Sequence, residues 1–170
     1  MTRVLLGATL ASLLAGCATN VNQVRLDANS VVGVQSPVAN ACAWRLKDVV
    51  DARVAGAEAG GLSANQLKVE DGPALLRAEL LKAGLLPADA QGRDVIVRLK
   101  QMYMAQNRIT KVPVVVYMVE AEGMSPFVVR AQPARMNWNG TQNELLTGLS
   151  MAVHEANTQL MASLNKSCSA

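Results

Sequence analysis

Residues 94–106 read DVIVRLKQMYMAQ, and after five intervening residues 112–121 read VPVVVYMVEA. In the first run Val95, Val97 and Leu99 alternate with Ile96, Arg98 and Lys100. That period of two puts the two sets on opposite faces of a strand. The second run is β-branched almost throughout, which suits an interior strand; Pro113 lacks an N–H and belongs at its beginning. Two such runs joined by a short polar stretch predict antiparallel neighbours. Downstream, Phe127–Trp138 reads as a further strand, with Pro133 marking an edge or a bulge. Upstream, Ala43–Ala52 is AWRLKDVVDA, where Trp44, Leu46 and Val50 alternate with Arg45, Lys47 and Asp51.

Two helices complete the pattern. Asp71-Gly72-Pro73 sets up a helix start, because proline is tolerated in the first turn. Leu75, Leu76, Leu80 and Ala83 form its apolar stripe, and Gly84 is a natural stop. Thr141 and Glu144 make a T-x-x-E capping box before a longer helix. Leu145, Leu149, Ala152, Val153, Ala156, Leu160 and Leu164 keep one apolar face there. AGAEAGG at 55–61 reads as a loop. The expected class is α+β in the order β-α-β-β-β-α: a four-stranded mixed sheet with both helices on one face.

The first residues have a different character. One basic residue, Arg3, precedes a run of about a dozen apolar or small residues from Val4 to Ala15, whereas a spanning helix needs about 20. That is the layout of a secretory signal peptide. It ends on Leu14-Ala15-Gly16-Cys17, which resembles the lipobox of bacterial lipoproteins. The resemblance implies cleavage after Gly16 and acylation of Cys17; the alternative is an ordinary signal peptide with an incidental cysteine. Ala18 stands where enterobacterial lipoproteins retained in the inner membrane carry Asp. The outer membrane, with the domain facing the periplasm, is therefore the expected location, and the periplasmic side of the inner membrane the alternative. The expected organisation is a signal peptide at 1–16, a lipidated Cys17 with a tether to 41, and one periplasmic domain over 42–170. The tether is read as flexible, although VNQVRL and VVGV within it have some β character.

Composition agrees with one folded domain. The chain of 170 residues carries a formal charge of +3, or +2 once Arg3 is removed with residues 1–16, which gives no reason to invoke a nucleic acid. Of the three cysteines, Cys17 is assigned to lipid. In an oxidising compartment Cys42 and Cys168 are then expected to pair, the alternative being two free thiols.

The D-x-R at Asp51-Ala52-Arg53 after the first strand and ALLRAELLKAGL at 74–85 resemble the YajG-type small envelope lipoproteins. They are also similar to the auxiliary lipoproteins of phospholipid ABC transporters. The Gly/Ala insertion after Arg53 departs from that pattern.

Little in the sequence points to catalysis. The single histidine, His154, lies about 180° round its helix from Leu145 and is expected to be solvent-exposed. Asp48 and Asp51 are expected on opposite faces of their strand, and Glu70 and Asp71 complement a helix start. Glu120 and Glu122 approach a turn and are expected to face water. No metal site and no cofactor are expected, and the aromatic and methionine side chains read mainly as core. Arg45, Lys47, Arg98, Lys100 and Arg130 fall on polar phases of strands. They form a candidate partner-binding surface on the sheet face away from the helices, if they are more than a solvated face. The expected function is a non-catalytic binding or structural module of an envelope complex, anchored to the membrane by lipid. The alternatives are an accessory to phospholipid transport and an enzyme acting on an envelope polymer.

Overall fold

A computed structural model of the chain describes residues 21–55, 59–106, 111–134 and 138–168. Its elements follow in the order β1 (Asn22–Leu26), β2 (Trp44–Asp51), β3 (Gly61–Leu62), β4 (Asn65–Val69), α1 (Gly72–Ala83), β5 (Arg93–Gln106), β6 (Lys111–Ala121), β7 (Phe127–Ala131) and α2 (Gln142–Lys166). The signal-peptide segment, Cys17 and Met136 lie outside the described residues.

The alternating run around Arg98 is an inner strand of a four-stranded sheet in the order β2-β5-β6-β7. β5 and β6 pair antiparallel, as do β6 and β7, while β2 runs parallel to β5. The sheet is mixed, and Val95, Val97, Leu99, Tyr117 and Val119 on one face join both helices in a single apolar cluster. Four of the five leucines in α2, at 145, 149, 160 and 164, are fully buried. Burial of a leucine side chain contributes roughly 1.5–3 kcal/mol, so this stripe docks the helix.

Both helix ends follow from their residues. The Asp71 carboxylate accepts from the Ala74 N–H at 2.9 Å, and Gly84 closes α1 in the left-handed region at φ 119°. A Cβ on Gly84 would also collide with the Val38 carbonyl oxygen. At α2 the Thr141 hydroxyl accepts from the Glu144 N–H at 3.2 Å, and the Glu144 carboxylate accepts from the Thr141 N–H at 2.9 Å.

Three features differ from the sequence-based expectation. A bulge between Leu46 and Asp48 shifts the phase of β2, so Val49 rather than Val50 enters the core. One extra residue reverses every later side chain on the strand. β7 stops at Ala131, two residues short of Pro133, because proline cannot continue the ladder. Lastly, a second sheet of three strands, ordered β1-β4-β3, occupies what composition reads as tether and loop.

The stretch after Leu26 is also packed. The Val32 N–H donates to the Ser150 hydroxyl at 2.8 Å and the Val38 N–H to the Ala83 carbonyl at 2.8 Å. Gln35, Asn157 and Tyr117 form a buried chain in which the Tyr117 hydroxyl donates to Asn157 and the Asn157 amide donates to Gln35, both at 3.2 Å. Burial pushes the Tyr117 phenol pKa up. At the far end of α2 the Asn165 side chain holds the Ala39 carbonyl at 2.6 Å and the Ala41 N–H at 3.1 Å. There Cys42 and Cys168 are joined in a disulfide, their Cα atoms 5.8 Å apart.

Candidate binding cleft

β2 accompanies β5 only as far as Asp51, opposite Leu99. The Ala52 N–H still donates to the Leu99 carbonyl at 2.9 Å, and contact resumes where the Ala59 carbonyl accepts from the Met104 N–H at 2.8 Å. Arg53, Val54 and Ala55 on one side and Ala59 on the other border a cleft of about 820 Å³ between β5 and β4. Its volume is that of a small-molecule site. Leu67, Val69 and Met102 give it apolar walls, and Lys68, Lys100 and Tyr103 supply polar groups.

The D-x-R residues also line this cleft. Arg53 grips Asp51 with two nitrogens, Nε on Oδ1 at 2.9 Å and Nη2 on Oδ2 at 2.6 Å. The hydrogen bond from Arg53 holds the Asp51 carboxyl below the usual carboxylate range. Arg53 lies against the start of α1: a Cβ on Gly72 would stand 3.4 Å from the Arg53 Nη2, in ordinary contact, and 2.8 Å from the Leu99 Cδ2. Lys68 stands 3.6 Å from Glu70. Among the described residues, no carboxylate stands within ion-pair distance of Lys100. The site therefore combines an apolar interior with one cation, Lys100, that no described carboxylate offsets, which suits an amphiphile with an anionic group.

Leu67 and Val69 alternate with Gln66 and Lys68 in NQLKV, so the strand that forms one wall did have a period-two signal. Its brevity and the Gly/Ala-rich stretch before it hide that signal. The gap in the β5 edge has no local signature, because it depends on where another chain segment diverges.

The five basic residues expected on the outer sheet face are not a bare cluster. Arg45 and Lys47 both hold Asp94, at 2.5 and 2.7 Å, and Arg98 holds Glu120 at 2.6 Å. Glu120 thus faces a cation, and Glu122 caps the Asp94 N–H at 3.1 Å. Lys47 and Lys100 sit at the two register shifts, and Lys100 lines the cleft. Arg130 stays on the outer face opposite Val116.

Hydrogen bonds from Lys47, then Arg45, lower the Asp94 pKa, and a hydrogen bond from Arg98 lowers that of Glu120. Carboxyls with folded pKa values below their unfolded ones stabilise the fold above the unfolded value. That contribution is lost as the pH falls through the folded value. The urea midpoint of Asp94→Asn should therefore lie below wild type at neutral pH, and the gap should narrow below about pH 4. A gap that stays constant down to pH 2 would remove Asp94 from this account.

His154 does not stand free in solvent. Its Nε2 lies 3.2 Å from Oε2 of Glu79, whose side chain is only 1% exposed. Lys82 holds the other Glu79 oxygen at 2.7 Å. α1 packs alongside α2, so the side of the helix opposite Leu145 is not simply its wet side. This trio lies between the helices and away from the cleft. Among the described residues, no group of three or more His, Cys, Asp or Glu could hold a metal ion. No described helix is long and apolar enough to cross a membrane.

The architecture defines an α+β class with a four-stranded mixed sheet under two helices and a small three-stranded sheet beside it. Among solved structures it is similar to protein XCC0632 from Xanthomonas campestris, described by the family model DUF330. The TM-score is 0.51 at 8% identity, covering 86% of this chain and 97% of that one. At this identity the similarity is one of fold. No family model and no curated protein matches the chain.

Proposed function

We propose that this chain is an exported lipoprotein, held on the periplasmic side of the outer membrane by acyl chains on Cys17. Its domain binds an envelope protein complex and does no chemistry. The observation that carries this reading is the Cys42–Cys168 disulfide. A crosslink between cysteines 126 residues apart fits an oxidising compartment. It also leaves Cys17, within LLAGC, as the one cysteine not committed to the fold. Two or more acyl chains suffice for stable anchoring without a spanning helix. The resemblance to YajG-type lipoproteins and to auxiliary lipoproteins of phospholipid transporters points the same way.

Growth with a palmitate analogue should label the wild-type protein, and Cys17→Ser should lose the label and leave the membrane fraction. Labelling that survives the substitution would overturn the proposal.

The cleft favours a second reading, an accessory in phospholipid transport. Its apolar walls fit acyl chains, and Lys100 fits an anionic headgroup. Lipid extracted from the purified Cys17→Ser protein decides between a lipid-handling module and one that only binds protein.

A further inference from the structure

We infer that the end of the molecule carrying the start of β1 faces the bilayer, and that the disulfide end points away from it. This inference rests on the acylation of Cys17 proposed above. Only four residues separate Cys17 from Asn22, the first residue of β1, so five Cα-to-Cα steps link them. A link of that length spans at most about 18 Å even when fully extended. The strap that follows β1 is bound to the helices and adds nothing to this reach.

β1 pairs in parallel with β4, Asn22 opposite Asn65, and the Asn22 N–H donates to the Ala64 carbonyl at 2.8 Å. The Asn65 amide in turn donates to the Gly140 carbonyl at 2.8 Å, next to Thr141, the N-cap of α2. The anchored strand, the β3–β4 turn and the start of α2 therefore share one end. This end carries the small side chains of Ser63, Ala64, Asn65 and Thr141, and the Glu144 carboxylate there is taken up by the Thr141 and Asn139 N–H groups, at 2.9 and 3.1 Å. The opposite end is set by α2. Its 25 residues run from Gln142 to Lys166, and at 1.5 Å each they carry the disulfide roughly 37 Å away. That is twice the reach of the link.

The cleft lies on the near side of the molecule. Lys68 is three strand residues from Asn65, or about 10 Å. Its rim is thus held close to the headgroups, while the disulfide end is presented to protein partners.

The two tryptophans mark the two ends. Trp138 packs against Gly148 in the second turn of α2. Trp44 is fully buried at the start of β2, its backbone N–H bonded to the Asn40 side chain at 2.8 Å. The full-length acylated protein would be reconstituted in phosphatidylcholine vesicles containing a dansyl-labelled phosphatidylethanolamine. Energy transfer to the headgroup would be read from Trp44→Phe, which retains Trp138, and from Trp138→Phe, which retains Trp44. Transfer should be several-fold stronger from Trp138. Equal transfer, as in a molecule lying on its side, or stronger transfer from Trp44 would overturn the orientation. A chain that fails to float with the vesicles overturns the anchor itself, a separate result. Because Trp44→Phe touches the core, a second variant keeps both tryptophans and inserts a Gly/Ser segment of about 20 residues after Asn20, adding roughly 25 Å of reach. Total transfer should fall; if it does not, the short link is not what holds the domain to the surface.

Discussion

Cys42→Ser with Cys168→Ser should lower the unfolding free energy by about 5 kcal/mol, the chain-entropy value for a loop above 100 residues. The bridge closes 126 residues, nearly the whole domain, so it restricts the unfolded chain about as much as one crosslink can. Against a total stability of roughly 5–15 kcal/mol, that loss is a third or more of what holds the fold. For a domain of this size it corresponds to a fall in Tm of about 10–20 °C. The same shift should appear when wild type is melted in a thiol reductant. The native structure itself should persist in the cold, because the Asn165 side chain still pins residues 39 and 41 to α2. A double variant melting within about 2 °C of wild type would mean that the unfolded chain is already compact enough to need no crosslink.

The second large effect concerns Glu79, a carboxylate with 1% exposure held by Lys82 and His154. Removing one side of a buried charge pair costs roughly 3–5 kcal/mol, because the other charge is left without compensation. Lys82→Met with His154→Leu should therefore destabilise by that amount. Lys82→Met alone should cost less, since that side chain is 57% exposed and trades its contact for water. Adding Glu79→Leu to the double variant should recover most of the loss, because the pocket then holds only apolar groups. Urea midpoints of the three variants check this. A double variant within about 1 kcal/mol of wild type would show that Glu79 can turn out to solvent.

The parts of this molecule that could be read from sequence are those whose cause is local. Asp71, Gly84, Thr141 and Glu144 bound their helices through bonds that span no more than a turn. The leucine stripe of α2 and the alternation around Arg98 repeat often enough to be unambiguous. The disulfide could be named because counting cysteines needs no geometry. What escaped depends on distant chain segments. β1 finds its partner 43 residues away, and the β character of VNQVRL does not say which segment it pairs with. The bulges at Lys47 and Lys100 are single insertions, invisible to a pattern of period two. They moved Val50 out of the core and Lys100 into the cleft wall. His154 was misplaced because a helical wheel assumes one packed side, whereas α2 meets the sheet on one flank and α1 on another. The basic residues were on the strands as expected, but Asp94 and Glu120 on neighbouring strands had to be seen before their charge could be weighed.

The strap from residue 27 to 41 also sets an order of assembly. β5, β6 and β7 meet through short connections, so they can pair as soon as they are made. Segments that meet across long separations gain their contacts late, because loop closure must come first. The strap bonds to Ser150 and Asn165, its partners more than 110 residues downstream. The earliest part of the domain to be synthesised is therefore the last to settle, because it waits for the final turns of α2.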